Sequence, residues 1–210
     1  MPIDSHLLVL FTVTTLVAMI TPGPDMLFVL GCGIRGGPRA GLLATAGVAT
    51  SEAIHVALAA AGLTALFAAV PVAFTTVRIV GGLYLVYLGV QIIRHRKGSP
   101  SDVPEAGEAI SGRRAYLNGV ATNLLNPKMV TFTIAFLPQF VDPALGRLWL
   151  QFVILGAILI VLEFLVDGAV GVLAGRIGGW LRARRAARRR IDVATGGLFI
   201  GLGVRLAAER

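Results

Sequence analysis

The sequence predicts an all-α membrane protein with six transmembrane helices, built as a 3+3 inverted-topology repeat with proline-broken helices 1 and 4. Three observations indicate this fold. Of the 210 residues, 56% are hydrophobic and only 14% are charged, with a mean hydropathy of +0.81, whereas ordinary soluble domains are about 25% charged. Six long apolar stretches are present. Two of them are interrupted by proline at matching places.

Each apolar stretch is a candidate membrane helix, because about 20 residues cross a hydrocarbon core of about 30 Å. The stretches cover residues 7–34, 40–70, 74–93, 115–141, 148–174 and 191–207, of which the last is the shortest. They are continuous and lack the alternation of barrel strands, so a β-barrel is not expected. The first stretch follows no Lys or Arg and meets no small-residue cleavage site, and we therefore expect it to be retained.

A polar linker divides the chain into two halves. Residues 98–112 are rich in Pro, Gly, Ser and acidic residues, as flexible linkers are. We expect a first three-helix repeat over 1–97, a cytoplasmic linker over 98–112 and a second three-helix repeat over 113–210, in one membrane domain. Because three crossings are an odd number, the second repeat must insert upside down relative to the first, which is an inverted-topology repeat.

The basic residues are distributed unevenly along the chain. Three connections, between stretches one and two, three and four, and five and six, hold 14 of the 19 Lys and Arg residues. The positive-inside rule places these connections in the cytoplasm and both termini outside. The run Arg182–Arg190 is typical of a segment that contacts anionic lipid head groups beside a membrane helix, so no nucleic acid partner is expected. The single cysteine, Cys32, excludes an internal disulfide.

The two proline motifs predict the substrate site. They read Thr-Pro-Gly-Pro-Asp-Met over 21–26 and Leu-Asn-Pro-Lys-Met over 125–129, so that Pro24 and Pro127 correspond 103 residues apart. Broken helices at corresponding places in two halves are the best sequence-level pointer to a transporter's binding site. The predicted substrate-binding residues are Pro22, Gly23, Pro24, Asp25, Asn123, Asn126, Pro127 and Lys128.

Proline inside a helix leaves the carbonyl four residues earlier without its hydrogen bond. The motifs are therefore expected to free the carbonyls of Ala18, Ile20 and Asn123. Free carbonyls suit an ammonium group, and the N-termini of the restarting half-helices suit a carboxylate. Together they predict a binding site for a zwitterionic amino acid, although kinking for helix packing is the alternative role of such prolines.

The ionisable residues next to the breaks are expected to form a pair. Asp25 follows the first break, where its charge complements a helix N-terminus and where it could also act as a cap. Lys128 follows the second break, where the helix dipole disfavours a cation, so it needs an anionic partner. Asp25 is the expected partner in the resting state, and Asn126 is expected to cap the half-helix that begins at Pro127.

Four more ionisable residues lie within the predicted spans, as two pairs that each share one helix face. The pairs are Glu52 with His55, and Glu163 with Asp167. They are the predicted proton-coupling residues, because His55 is the one intramembrane group in the sequence that ordinarily titrates near neutral pH. The alternative for Glu52 and His55 is a hydrogen-bonded pair that holds helices together.

The same residues, with Asp25, could ligate a metal ion. One cysteine and one intramembrane histidine make a poor soft-metal site, and hard-metal sites need more clustered carboxylates than the sequence shows. We therefore expect no metal site and no cofactor. No arrangement of Ser, His and Asp for nucleophilic catalysis stands out, and an enzyme is not expected.

Several motifs resemble the amino-acid exporter superfamily named for the lysine exporter and the homoserine-resistance protein (LysE/RhtB), and the resemblance covers nearly the whole chain. They lie at 21–25, 35–42, 47–55, 81–85 with 88–89, 123–128 and 136–141, and in the Arg-rich segment before Gly196-Gly197. The resemblance implies a multi-pass protein of the bacterial inner membrane that exports amino acids or close derivatives, driven by the proton gradient. It carries over the proline breaks, Asp25, Lys128 and His55. Glu163 and Asp167 match no motif of the family.

The sequence thus predicts a secondary active exporter that works by alternating access as a proton antiporter. Two alternatives stay open: a metal-cation exporter of the same superfamily, and a scaffold whose glycine-rich faces bind partner helices. A scaffold would not need ionisable groups in four different spans. The sequence leaves open the substrate, the coupling ion and whether the protein forms a homodimer.

The charge distribution generates the first testable prediction, that the C-terminus lies outside the cytoplasm. A C-terminal fusion to alkaline phosphatase, which is active only outside, should be active, and a fusion to a fluorescent protein that matures only in the cytoplasm should be dark. The matched pair of fusions within the 98–112 linker should behave in the opposite way. A fluorescent C-terminal fusion would contradict both the topology and the inverted repeat.

Overall fold

The computed structural model describes residues 3–21, 23–94, 108–183 and 185–208, and over these ranges the chain is helical, without strands. Most of the predicted 98–112 linker lies outside the described residues. The helices are α1 (Ser5–Ile20), α2 (Pro24–Ala69), α3 (Pro71–Arg94), α4 (Gly112–Leu124), α5 (Pro127–Phe136), α6 (Leu148–Val172), α7 (Ala174–Ala183) and α8 (Arg185–Ala208). Two 3₁₀ turns, Leu137–Phe140 and Pro143–Leu145, connect α5 to α6.

Three segments of the described chain are long and apolar enough to cross a membrane: Pro24–Ala69, Val72–Arg94 and Leu148–Val172. Shorter apolar helices cover Ser5–Ile20 and Val193–Arg205. Large apolar side chains also stand exposed on the outside of the helices, among them Val72 and Leu58 with 70% and 66% of their surface accessible. A soluble monomer rarely exposes so much contiguous apolar surface. The molecule has the surface of a membrane protein.

The first and fourth apolar stretches are each occupied by two helices. α1 ends at Ile20 and α2 begins at Pro24, after Gly23 in an extended conformation. α4 ends at Leu124 and α5 begins at Pro127. Proline suits the first turn of a helix, where its missing N–H would have no partner in any case. Both helix boundaries therefore fall around the two proline motifs.

The structure has no separate loop between the first two apolar stretches, and only one residue there departs from helical geometry. Residues 24–69 form one helix in which Gly37 alone departs from helical geometry, at φ 73° and ψ −176°, and Pro38 follows it. Glycine adopts this positive φ at little cost because it has no Cβ. The basic segment Arg35–Arg39 is thus a bend within a helix.

The Arg-rich connection between the fifth and sixth stretches is helical over most of its described length. It contains α7 and the first turns of α8. Alanine and arginine are among the best helix formers, so a run of them continues a helix even without an apolar face. The sixth stretch, predicted to begin at 191, is accordingly the end of a longer helix that begins at Arg185.

Close backbone contacts at glycines hold the helices together. α2 packs against α4 and α6, and α3 packs against α8. A Cβ on Gly41 would lie 2.5 Å from the Gly171 carbonyl oxygen of α6, and one on Gly119 of α4 would lie 2.5 Å from the Ala44 carbonyl oxygen of α2. Small residues of this kind let helix backbones approach each other in lipid, where no hydrophobic effect drives helices together.

The seam between α3 and α8 has the most regular of these contacts. Gly89 faces Gly196, and Gly82 faces Gly203. A step of seven residues forward along α3 matches a step of seven residues back along α8, so the two helices are antiparallel. In both helices the two glycines are seven residues apart, or about two helical turns. Each helix therefore presents the same glycine spacing to the other.

One buried side chain secures the turn before α6. Gln151 is fully buried. Its Oε1 accepts the Asp142 backbone N–H at 2.9 Å, and its Nε2 donates to the carbonyls of Asp142 and Gly146 at 2.9 and 2.8 Å. Three backbone groups of the turn are thereby satisfied by a single residue of α6.

Candidate functional site

A cavity of about 80 Å³ lies where the ends of α1 and α5 meet α2, α3, α6 and α8. A buried water needs about 10–15 Å³ of such space, so the cavity has room for several waters or for part of a small molecule. Its lining has an acidic part and an apolar part. The acidic part consists of Asp25, Glu52, Glu163 and Asp167, and the other lining residues are Thr15, Ala18, Met19, Thr21, Gly23, Met26, Ile92, Met129, Phe132, Leu159 and Phe199.

Asp25 is held where the beginnings of α2 and α5 meet. It lies in the first turn of α2, where the helix dipole favours an anion, and only 8% of its surface is accessible. The Asn126 amide, one residue before α5, donates to Asp25 Oδ1 and Oδ2 at 3.1 and 3.4 Å. The structure thus brings together two of the predicted substrate-binding residues, one from each proline motif.

Glu52 occupies the middle of α2 and is fully buried. The Thr133 hydroxyl of α5 donates to its Oε1 at 2.8 Å. Its other oxygen, Oε2, lies 3.6 Å from Nδ1 of His55, one turn further along α2. This separation is too long for a hydrogen bond, and neither Glu52 Oε2 nor either His55 nitrogen has a hydrogen-bond partner among the residues described. His55 itself is buried behind Glu52 and does not line the cavity.

Glu163 and Asp167 lie one turn apart on α6, and each exposes only 5% of its surface. Glu163 Oε2 has no hydrogen-bond partner in the described part of the chain. With Asp25 and Glu52 of α2 they place four carboxyl groups around one cavity. Carboxylates that share one cavity repel one another, and a cation placed among them relieves that repulsion. The arrangement therefore suits the binding of a cation.

The structure places the remaining predicted residues as follows. Gly23 lines the cavity, and Pro24 is exposed at the start of α2. Asn123 is fully buried between α4 and α2, where its amide donates to the Val48 carbonyl at 3.2 Å. Pro22 and the side chains of Pro127 and Lys128 lie outside the described residues.

The prediction that the prolines leave the Ala18 and Asn123 carbonyls free is wrong. The Ala18 oxygen accepts the Thr21 N–H at 3.3 Å, and the Asn123 oxygen accepts the Asn126 N–H at 3.0 Å. In both places the last turn tightens to a bond across three residues, as helix ends often do. Both carbonyls are thereby paired, and the carboxylates are the stronger acceptors that the site offers to an ammonium group.

Four residues that contribute to the site were not singled out from the sequence. Thr133 supports Glu52, as described above. The Thr195 hydroxyl of α8 is hydrogen-bonded to the hydroxyl of Thr21, a cavity residue. Phe132 and Phe199 form part of the apolar wall. Threonine and phenylalanine are common inside membrane helices, so no sequence signal distinguished these residues from ordinary packing residues.

The acidic groups do not gather as metal ligands do. Among the described residues, no three His, Cys, Asp or Glu side chains lie close enough together to hold a metal ion. The four carboxyl groups instead face the cavity from two helices. This arrangement suits either a cation larger than a metal ion or protons that bind to single carboxyl groups.

Known proteins resemble the chain over most of its length. A homoserine/homoserine lactone efflux protein of Salmonella typhi is 30% identical over 200 residues, which are 95% of each chain. A leucine efflux protein of Enterobacter sp. is 32% identical over 193 residues, or 90% of each chain. An uncharacterized membrane protein of Vibrio cholerae is 30% identical over 207 residues, or 99% of each chain. No solved structure matches the chain significantly.

A sequence model of one family matches residues 16–210, nearly the whole chain, and its description is LysE type translocator. This match confirms the resemblance found in the proline motifs. It also confirms that the protein is a transporter and not an enzyme. The chain therefore belongs to the LysE family of translocators.

Proposed function

We propose that this translocator exports amino acids or close derivatives across the bacterial inner membrane in exchange for protons. The observation that carries the proposal is the cavity in which four buried carboxyl groups lie beside an apolar wall. An amino acid offers the matching groups, an ammonium for the carboxylates and a side chain for the wall. The names of two relatives, a homoserine/homoserine lactone efflux protein and a leucine efflux protein, support this substrate class.

Exchange with protons follows from competition for the same carboxyl groups. Four carboxylates in one buried cavity are costly when all are ionised. A bound ammonium group or added protons relieve that cost. Binding of the ammonium therefore weakens the binding of protons, and binding of protons weakens that of the ammonium. A carrier of this kind loads substrate when protons leave and releases it when protons enter from the outside. His55, 3.6 Å from Glu52, is the group through which we expect protons to reach the acidic residues.

Alternating access would use the inverted repeat that the sequence predicts. Two features support the repeat. The starts of α2 and α5, which carry the corresponding prolines, are joined by the Asn126–Asp25 hydrogen bonds. If Gly82 corresponds to Gly196 and Gly89 to Gly203, exchanging the two repeats turns the Gly89–Gly196 contact between α3 and α8 into the Gly82–Gly203 contact. Equivalent helices that meet across a two-fold axis within the membrane give such a pattern.

The orientation proposed from the basic residues puts both termini outside and the Arg-rich segment inside. Of the residues in and beside this segment, Arg176 and Arg190 are exposed, and so is Trp180 of α7. An aromatic ring beside basic side chains is typical of a helix at the lipid head groups. We therefore propose that this face contacts the anionic inner leaflet.

Lys128 completes the proposed site. It follows Pro127 at the start of α5, two residues after Asn126. A cation there is disfavoured by the helix dipole, and Asp25 is the anion that we propose as its partner in the resting state. During transport the substrate carboxylate would compete for Lys128 while the substrate ammonium engages Asp25.

The alternatives are less well supported. A metal-cation exporter would need converging ligands, and the described residues do not provide a group of three. A scaffold would have no use for buried carboxyl groups around a cavity, since each is costly within a membrane.

The main test is efflux from cells or vesicles preloaded with a mixture of amino acids. The wild type should release a subset of them, and Glu163→Gln should lower that release by at least about tenfold, since a lost hydrogen bond to a charged group costs about 1.5–3 kcal/mol. Glu108→Gln is the matched control, because Glu108 is exposed and far from the cavity residues in sequence. Equal efflux by Glu163→Gln and wild type would contradict the role of the carboxyl group.

His55→Gln should separate proton coupling from substrate binding. We expect export driven by an imposed pH gradient to fall, with a changed pH dependence, while exchange of labelled for unlabelled substrate persists. His6→Gln, which alters an exposed histidine, should leave both activities unchanged. An unaltered pH profile in His55→Gln would assign His55 to packing alone.

A third prediction concerns the pairing of Lys128 with Asp25. Lys128→Met should abolish export without preventing insertion, because it removes a charge that costs about 2.5–3.5 kcal/mol at the bilayer centre on insertion scales. Asp25→Asn should be less stable in detergent than the double variant Asp25→Asn, Lys128→Met, because it would leave the Lys128 ammonium without its proposed anion. Thermal unfolding of the purified variants measures this difference. Normal export by Lys128→Met would refute the pairing.

A further inference from the structure

We infer that Phe132 and Phe199 form a subsite that restricts transport to amino acids with small aliphatic side chains and excludes aromatic ones. The inference rests on the proposed function, since it names the class of amino acid that the same cavity accepts. It assigns a role in specificity to two residues that are apolar and that carry no charge or hydrogen bond of their own.

The acidic and apolar parts of the cavity adjoin along α6. Leu159, Glu163 and Asp167 all line the cavity and follow one another at intervals of four residues. They therefore share one helix face, and Leu159 lies about 6 Å along the axis from Glu163. We place the substrate ammonium among the carboxyl groups that include Asp25 and Glu163, with the side chain directed along α6 toward Leu159.

Phe132 and Phe199 are further apolar residues of the cavity lining. Both belong to the same buried apolar cluster as Leu159 and line the cavity. Their ring centroids are 5.9 Å apart, with 28° between the ring planes. Phe132 comes from α5 and Phe199 from α8, so the pair joins two helices beside the site.

Further aromatic rings pack against Phe132. Phe132 stacks on Phe136 with ring centroids 4.5 Å apart and 17° between the ring planes. Phe136 is fully buried, and its ring centroid lies 5.5 Å from that of Phe11 and 4.9 Å from that of Phe140. Protein interiors are close-packed, so displacement of Phe132 would disturb this group of rings.

The size of the cavity indicates which side chains fit. Its volume of about 80 Å³ is roughly half of the 150 Å³ of a dry apolar cavity that holds benzene inside a protein. An aromatic side chain would therefore need one of the two rings to move. An aliphatic side chain the size of that of alanine or valine needs much less displacement.

The experiment compares valine and phenylalanine as probes, with efflux of each measured from preloaded vesicles. The wild type should export valine much faster than phenylalanine. Phe132→Leu and Phe199→Leu, which open the wall while keeping an apolar side chain, should each raise the phenylalanine-to-valine ratio by about tenfold or more, the scale on which apolar pockets discriminate.

Phe140→Leu is the matched control. Phe140 belongs to the same ring cluster and is fully buried, but it does not line the cavity. It should change the two rates by the same factor, so that a general loss of packing is distinguished from a change in the subsite. If Phe132→Leu and Phe199→Leu alter the ratio no more than Phe140→Leu does, the inference is wrong.

A size series on the wild type tests the inference without any variant. Export rates of alanine, valine, leucine and phenylalanine are compared, and the rate for phenylalanine should be clearly lower than the others. Equal rates for valine and phenylalanine would overturn the inference. Export of amino acids without this size dependence would leave the proposed function standing. Export of none of them would refute the proposed function, and the inference would fall with it.

Discussion

Asp25, Glu52, Glu163 and Asp167 meet in one cavity of a protein whose outer surface is apolar. A single carboxylate at the centre of a membrane costs about 2.5–3.5 kcal/mol even on lenient scales, and mutual repulsion adds to that cost. Such a group of residues persists only if the surrounding structure supplies polar contacts or if the protein works by binding cations there. The structure of this translocator supplies such contacts, and the proposed exchange of amino acids for protons would supply such cations.

The rest of the fold provides the polar contacts that these groups need. Asn126 reaches Asp25 because α5 begins beside the start of α2, and Thr133 reaches Glu52 from one face of the same short helix. The break between α4 and α5 falls at this asparagine, one residue before α5 begins at Pro127. The close crossings at glycines bring α2 and α6 near enough for their carboxyl groups to share the cavity.

The four acidic residues that line the cavity were singled out from the sequence, whereas Phe132 and Phe199 of its apolar part were not. A charge within an apolar stretch is conspicuous, so Asp25, Glu52, Glu163 and Asp167 could be identified from their positions alone. Phe132 could not, because its role depends on which of many apolar residues face a cavity, and that is decided by how the helices meet around it. Six apolar stretches were predicted as membrane helices, and three segments of the described chain are long and apolar enough to cross a membrane.

Local backbone geometry limited the other predictions. Counting back four residues from a proline identifies a carbonyl that has lost its usual partner, but it does not show that the turn tightens. Ala18 and Asn123 accept hydrogen bonds across three residues for this reason. The bend at Gly37 lies in the predicted connection between the first two apolar stretches, where glycine and proline interrupt the apolar pattern. Here a single residue with positive φ accommodates the change of direction.

The buried Gln151 has a consequence for the proposed alternating access. Its three hydrogen bonds fix α6 to Asp142 and Gly146 in the connection that precedes it, so a swing of α6 during transport would pivot about this turn. Glu163 lies twelve residues along α6 from this pivot, a distance of about 18 Å at 1.5 Å per residue. A swing of about 10° there would carry its carboxyl group sideways by about 3 Å. That is the length of one hydrogen bond, enough to release one partner and take another without unfolding any helix.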